Sequence, residues 1–363
     1  MRIGFDAKRV FNNFTGLGNY SRFVVDGLTQ FYSNNEYFLY TPKVGQHPEV
    51  QKYLGLTVRQ PGKNKIGSLW RTFSIAEDIK KDKIDVYHGL SNELPMRRMP
   101  GVKTVLTVHD LIFMRFPEYY GIIDVNIYKW KLKNACAIAD VIVAVSQQTA
   151  NDLKNFFHVD EKKIRVVYQG CHSSFYKKAA TEAVRKKYEL PNEFLLYVGT
   201  LEKRKNAGLI LKALSRLKHN IPVVLVGKPT KYIADLEGII KQYDLRDRVK
   251  FIHTAAFADL PAIYQAASLF IYPSVFEGFG IPIVEAIASG VPVITSNGSC
   301  FSEAGGPDCI YVNPSNPEEL ADAVTMVLEN PGLRTTMVDG SKAYINKFAP
   351  AVIASELMKV YTH

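Results

Sequence analysis

The 363-residue chain has only four cysteines, Cys136, Cys171, Cys300 and Cys309, and no Cys-x-x-Cys pair. That scatter excludes a zinc ribbon and a disulfide framework, and predicts reduced, structural thiols. Long hydrophobic runs are also missing: the longest are of strand length, too short to span a bilayer. The opening MRIGFDAKRV enters a strand directly instead of forming a signal peptide, so a cytoplasmic protein is expected. No fixed-period repeat or low-complexity tract occurs, which excludes solenoids and disordered tails. Acidic residues are the scarcer charge, 35 against 45 Lys+Arg. The deficit is local: residues 1–167 carry 24 Lys+Arg against 16 Asp+Glu, whereas 168–363 carry 21 against 19. No zinc, RNA-recognition or helix-turn-helix signature accompanies this charge, so no nucleic-acid partner is expected. A basic N-terminal face suits an anionic membrane surface or a diphosphate-bearing partner; a plain solvated surface is the alternative.

What is present is an alternation of strands and helices. The expected strands in the first half are 1–7, 35–42, 84–89, 104–108, 141–145 and one ending near 164–170. Between them, 8–19 reads as a polar, glycine-bearing loop, and Tyr20, Phe23, Val24, Leu28 and Phe31 fall on one helical face. Helices are also expected over 68–83, 124–139 and 146–157. A charged segment, 177–187, intervenes before the pattern restarts, with strands at 194–199, 222–227, 249–253, 269–272, 292–295 and 310–312. An amphipathic helix at 320–328 and a last helix over 350–361 follow. Apolar strands between helices predict parallel sheets covered on both faces, hence two Rossmann-like α/β domains with a cleft between them. In such sheets ligands bind beyond the carboxyl ends of strands, so candidate site residues are sought there.

The stretch at 276–294, FEGFGIPIVEAIASGVPVI, is the centre of the reading. A buried strand closed by Pro273 leads into the turn Gly278-Phe279-Gly280-Ile281, and Pro282 opens a helix, where a missing N–H costs nothing. A strand, a glycine turn and a helix start aim free N–H groups and a positive helix end at one spot, which suits a diphosphate. Glu277 precedes the turn and Glu285 lies one turn into the helix, so each carboxylate can accept from sugar hydroxyls. Alone, this spacing is equally compatible with an ordinary structural turn.

Other candidates also follow strands. Gly16 and Gly18 in TGLGNY allow close backbone approach and open a helix, though a structural turn explains them as well. His109 and Asp110 follow the 104–108 strand; the histidine can donate to a sugar hydroxyl and the aspartate can fix its tautomer or the loop. Gly199 and Thr200 lead into Lys203-Arg204-Lys205-Asn206, three cations before an expected asparagine cap. Cations at a helix start oppose the dipole, and a bound diphosphate would resolve that conflict. His253 and Thr254, in FIHTAAF at 251–257, border the expected base pocket.

Taken in order, DAKR, TGLGNY, TVHDLIFMRFPEYY, DVIVAVSQQTANDL, VVYQG, YVGTLEKRKN, YPSVFEGFGIPIVEAIASGVPVI, SEAGG and NPEELADAV run along the chain. The series resembles glycosyltransferase family 4 from end to end, including its E-x7-E signature, and especially the mannosyltransferase-like bacterial members that build surface polysaccharides. The resemblance implies a GT-B fold, with an acceptor-binding domain over 1–167, a nucleotide-sugar domain over 168–347, and a C-terminal helix, 348–363, packing back on the first. It implies that Glu277 holds hydroxyls of the transferred sugar, helped by backbone at Gly278, Phe279, Gly280 and Ile281, and that Glu285 binds the ribose diol. Arg204 and Lys205 would neutralise the departing diphosphate, His109 would touch the donor sugar, and Gly16 and Gly18 would lie near phosphates and acceptor. Many members have arginine after the glycine matching Gly199; Thr200 stands there, which leaves the phosphate charge to Arg204 and Lys205.

The resemblance implies retaining hexosyl transfer by front-side attack, with GDP-mannose or a UDP-sugar as donor; a saccharide or polyprenyl-diphosphate-linked acceptor and peripheral contact at the inner membrane face are expected. No Asp-x-Asp occurs, so no metal and no further cofactor is expected. Two alternatives stay open: a nucleotide-sugar epimerase or hydrolase on the same scaffold, and a non-catalytic sugar-nucleotide-binding subunit.

Overall fold

Short runs rich in β-branched and aromatic residues, bounded by glycine, proline and charged turns, form the strands of two parallel sheets. The structure is a computed structural model and describes residues 1–62 and 67–363. The chain divides into two compact units: Met1–Gly170 with Pro350–His363, and Cys171–Ala349. The change of unit thus comes a few residues later than the expected 167/168 and 347/348.

In the first unit the strands are β1 (Arg2–Asp6), β2 (Glu36–Tyr40), β3 (Thr57–Arg59), β4 (Val86–Gly89), β5 (Lys103–Val108), β6 (Val141–Ala144) and β7 (Ile164–Val166). They lie in the order β3-β2-β1-β4-β5-β6-β7, all parallel. Side chains alternate between faces, as period-2 geometry requires. On one face Ile3, Phe5, Leu39, Val105 and Val143 join Val24 and Leu28 of the helix Gly16–Phe31 and Ile353, Leu357 and Tyr361 of the last helix. On the other, Phe38, Tyr40, Leu106 and Ile142 meet Trp70, Ile79, Leu132 and Ala135. The last helix lies so near the helix Gly16–Phe31 that a Cβ on Gly27 would be 3.6 Å from the Pro350 carbonyl oxygen. It is pinned by Tyr361, whose hydroxyl joins His88 Nδ1 at 2.7 Å, while His88 Nε2 joins Thr107 Oγ1 at 2.8 Å. Burial pushes the His88 pKa down to about 3, so the ring is neutral.

The second unit holds β8 (Leu195–Val198), β9 (Val223–Val226), β10 (Val249–Ile252), β11 (Leu269–Tyr272), β12 (Val293–Ser296) and β13 (Ile310–Val312), in the parallel order β10-β9-β8-β11-β12-β13. In each sheet the order reverses once, beside β1 and β4 and beside β8 and β11. Those switch points, at the strands' carboxyl ends, are where doubly wound sheets bind ligands.

Several expectations need correction. The segment 8–19 is mostly helical: Lys8–Asn12 is a short helix and the next begins at Gly16, because Asn13 Oδ1 accepts from the Thr15 and Gly18 N–H groups and turns the chain. The helix expected over 68–83 is interrupted by a π-helical segment at Trp70–Ser74. The short edge strand Thr57–Arg59 and the helix Pro331–Tyr344 had no strong periodic signal and were not anticipated. The charged segment 177–187 contributes most of the helix Thr181–Tyr188 inside the second unit.

Candidate active site

The loop after β8 and the loop after β11 are tied together at the switch point of the six-stranded sheet. Val275 N–H donates to the Arg204 carbonyl at 2.9 Å, and Asn206 Nδ2 donates to the Pro273 carbonyl at 3.1 Å and the Pro314 carbonyl at 2.8 Å. Asn206 therefore does not cap its helix through its side chain, contrary to expectation. It instead takes the left-handed conformation (φ 60°) that turns Lys203–Lys205 into the helix Ala207–Leu214.

This tie brings Arg204, Lys205 and Glu277 together. Glu277 Oε1 is 2.9 Å from Arg204 Nη1 and 3.2 Å from Lys205 Nζ, and accepts from the Tyr272 and Ser274 hydroxyls, each at 2.9 Å. Lys205 also donates to the Tyr272 hydroxyl at 2.8 Å, and Arg204 Nη2 is 2.5 Å from Glu202 Oε1. For Arg204 and Lys205 the conflict read from cations at a helix start is thus met inside the protein, by Glu277 and Glu202. Burial opposes ionisation of Glu277, but Lys205 and Arg204, with the Ser274 and Tyr272 hydroxyls, outweigh it and hold the pKa at about 2. Burial likewise opposes the Arg204 charge, and Glu277 and Glu202 more than offset it. The result is a preorganised cluster in which Glu277 and Arg204 are each held in the charged form.

The glycines have local reasons. A Cβ on Gly199 would come within 3.3 Å of Lys205 Cδ, so its absence makes room for the lysine. Gly280 has φ 102°, left-handed backbone that starts the helix Ile281–Ala288, in whose first turn Pro282 sits. Cys300 holds the turn: its thiol donates to the Glu277 and Phe279 carbonyls at 3.1 Å each. No spacing rule would have singled out Cys300, Tyr272 or Ser274.

Glu285 is buried on the same helix and accepts from the Tyr264 hydroxyl at 2.9 Å. Burial raises its pKa to about 7, and the Tyr264 bond offsets this only in part. His253 is exposed at the end of β10, with Nδ1 3.4 Å from the Gly227 carbonyl, and Thr254 beside it is exposed. Thr200 is half-buried, its carbonyl accepting from Tyr197.

The remaining candidates belong to the first unit. His109 is buried; Nε2 meets the Leu90 carbonyl at 2.9 Å and Nδ1 meets Gln169 Nε2 at 2.9 Å, while the Tyr20 ring stands edge-on at 4.6 Å. Burial, only partly countered by Leu90, lowers its pKa to about 4. The imidazole is neutral, and its tautomer is set by Leu90 and Gln169; Asp110 Oδ1 instead accepts from Ile112 N–H and shapes the loop. A Cβ on Gly18 would fall 1.8 Å from the Asn13 carbonyl oxygen, so that glycine serves a backbone crossing, whereas Gly16 has open space beside it. At this unit's switch point a polar hollow is lined by Asp6, Arg71, Glu93 and Lys131, and by Tyr87, whose buried hydroxyl has no hydrogen-bond partner among the described residues.

Two doubly wound parallel units, the second returning its last helix to the first, define the GT-B fold. Solved structures share it: Alr3699/HepE from Anabaena, in complex with UDP and glucose, aligns with a TM-score of 0.76 at 19% identity over 99% of both chains. Sucrose-phosphate synthase from Thermosynechococcus elongatus aligns at 0.78 and 19% identity over 99% of this chain and 98% of that one. Residues 14–175 match the model of Glycosyltransferase Family 4, and 180–344 that of Glycosyl transferases group 1. The O-antigen chain mannosyltransferase B of Escherichia coli is 26% identical over 99% of each chain, and the O-antigen chain mannosyltransferase RfbU of Salmonella typhimurium is 29% identical over 62% of this chain and 61% of its own. The chain belongs to glycosyltransferase family 4.

Proposed function

We propose that this protein is a retaining, metal-independent hexosyltransferase that moves mannose from GDP-mannose to a saccharide or polyprenyl-diphosphate-linked saccharide in surface-polysaccharide synthesis. The choice of mannose is supported by the names of the two bacterial relatives; the UDP of the Anabaena structure keeps a UDP-sugar as the second donor to test. The observation that carries the reading is the meeting of Arg204, Lys205 and Glu277 at one carboxylate oxygen, at a sheet switch point.

In this reading the bond from the sugar's anomeric carbon to the diphosphate breaks, and the leaving group departs with the electron pair. Arg204 and Lys205 meet that charge, in the role a metal ion has elsewhere; each preorganised donor in a dry site is worth about 3 kcal/mol of barrier. The acceptor hydroxyl attacks from the same face, and its proton passes to the departing phosphate oxygen. Glu277 uses Oε1 to hold the cations and Oε2 to accept a sugar hydroxyl, with Gly278, Phe279, Gly280 and Ile281 forming the backbone wall. Glu285 accepts from the ribose, and Gly199, Thr200, His253 and Thr254 border the nucleotide. His109 is a positioning residue here: direct sugar contact would break its bond to Gln169 or Leu90. The hollow at Asp6, Arg71 and Glu93, with Gly16 and Gly18 nearby in the chain, serves the acceptor end.

The test is to incubate pure protein with UDP-, GDP- and ADP-sugars and a lipid-linked or soluble saccharide, with and without EDTA. A glycoside of retained anomeric configuration, formed from GDP-mannose despite EDTA, is expected. Lys205→Ala should lower kcat at least about a hundredfold. Release of free hexose alone, an isomerised nucleotide sugar, or nucleotide binding without turnover would refute the proposal.

A further inference from the structure

The helix Ile122–Ile138 is apolar on two sides. Leu132, Ala135, Cys136 and Ile138 are buried against the seven-stranded sheet. On the outer side Ile122 is 82% exposed, Ile123 75%, Trp130 60% and Ile127 43%, and Tyr119, just upstream, is 42% exposed. At about 100° per residue, Ile123, Ile127 and Trp130 fall within about 60° of one another and form one outward stripe. Lys129 and Lys133 flank that stripe on one side and Lys131 on the other, while Asp124 is the helix's one acidic residue. Lys131 contacts Glu93 at 3.3 Å; neither Lys129 nor Lys133 has an ion-pair partner among the described residues.

Apolar groups so exposed require a reason, since burial of each is favourable and water contact is not. Lysine is depleted from the cores of protein–protein interfaces, so a ridge flanked by three lysines fits such a seam poorly. It fits a lipid surface: isoleucines reach the acyl boundary, tryptophan lies at headgroup depth, and the lysine stems extend outward so that ammonium groups meet phosphates. The basic excess of residues 1–167, 24 against 16, has the same sign.

We infer that this outer face of the helix Ile122–Ile138 docks the enzyme on an anionic phospholipid surface, with Ile123, Ile127 and Trp130 inserted and Lys129, Lys131 and Lys133 on the headgroup phosphates. The inference deepens the lipid-linked reading of the acceptor by naming the surface that brings the enzyme to it.

The chain's two tryptophans make the test direct, because Trp70 is 1% exposed and Trp130 reports alone. Vesicles containing phosphatidylglycerol should float with the protein and shift Trp130 emission to the blue, and pure phosphatidylcholine vesicles should do so far less. Salt should weaken the association. The double variant Ile123→Ser, Trp130→Ser, with an unchanged melting temperature, should bind anionic vesicles at least about tenfold more weakly. Lys129→Ala and Lys133→Ala should each lose roughly fivefold, and Trp130→Phe should lose the spectral shift but keep most of the binding. Failure to bind anionic vesicles, binding that these variants leave intact, or a dimer that Ile123→Ser splits on a sizing column would overturn the inference. Transfer to a soluble saccharide should be untouched in every variant. Vesicle binding by a protein that makes no glycoside would sink the functional reading and spare this one; glycoside formation without vesicle binding would do the reverse.

Discussion

Replacing Glu277 by glutamine removes one negative charge from a site where two cations and two hydroxyls converge on it. In the folded protein the carboxyl is held at about 2 rather than the usual 4.5, a difference corresponding to about 3 kcal/mol in favour of the ionised form. The variant keeps the shape and a hydrogen-bond acceptor but leaves Lys205 and Arg204 facing a neutral group; their side chains are only 16% and 13% exposed. Removing one partner of a buried ion pair costs more than the pair itself contributes, because the remaining charge stays desolvated. Glu277→Gln should therefore destabilise the second unit by about 3 kcal/mol, a fall of roughly 6–12 °C in its melting transition. Differential scanning calorimetry at neutral pH measures this. The pH dependence carries the sign: the stabilisation from a depressed carboxyl is complete above its unfolded pKa near 4.5 and is lost as pH falls to about 2. The gap between wild type and variant should thus narrow over that acid window and stay constant above it. A melting temperature within about 1 °C of wild type at neutral pH, or a gap that widens on acidification, would refute the reasoning.

Three more outcomes follow from the same structure. Glu285, held up at about 7 by burial, should bind the nucleotide more tightly as pH rises from 6 to 8 and it ionises; titration calorimetry with GDP or UDP should show this slope, and Glu285→Gln should flatten it. By the same linkage, its contribution to stability is greatest below pH 4.5 and fades as pH rises through about 7. All four cysteines are buried and unpaired, so a thiol reagent should label none in the native protein and four after denaturation. Tyr361→Phe should cost about 1–3 kcal/mol by stranding buried His88, and removal of 350–363 should leave the first unit unable to fold, which proteolysis would reveal as rapid loss of Met1–Gly170.

The two parallel-sheet units were legible in the amino-acid order, because strands buried on both faces leave continuous apolar runs that need no partner to be read. β11 and β13 begin and end where those runs do, and the clustering of Arg204, Lys205 and Glu277 followed from their positions just after β8 and β11. Tertiary structure alone decided how the charges are satisfied. Asn206 spends its side chain on the Pro273 and Pro314 carbonyls rather than on a cap, the orientation of His109 is set by Gln169 sixty residues away, and Cys300 fastens the turn at Glu277 from a later loop. Each is a contact between segments distant in the chain, and local spacing carries no record of it. The outward stripe on Ile122–Ile138 is likewise invisible to periodicity, because a helix apolar on both sides gives no clear amphipathic signal until the sheet shows which side it covers.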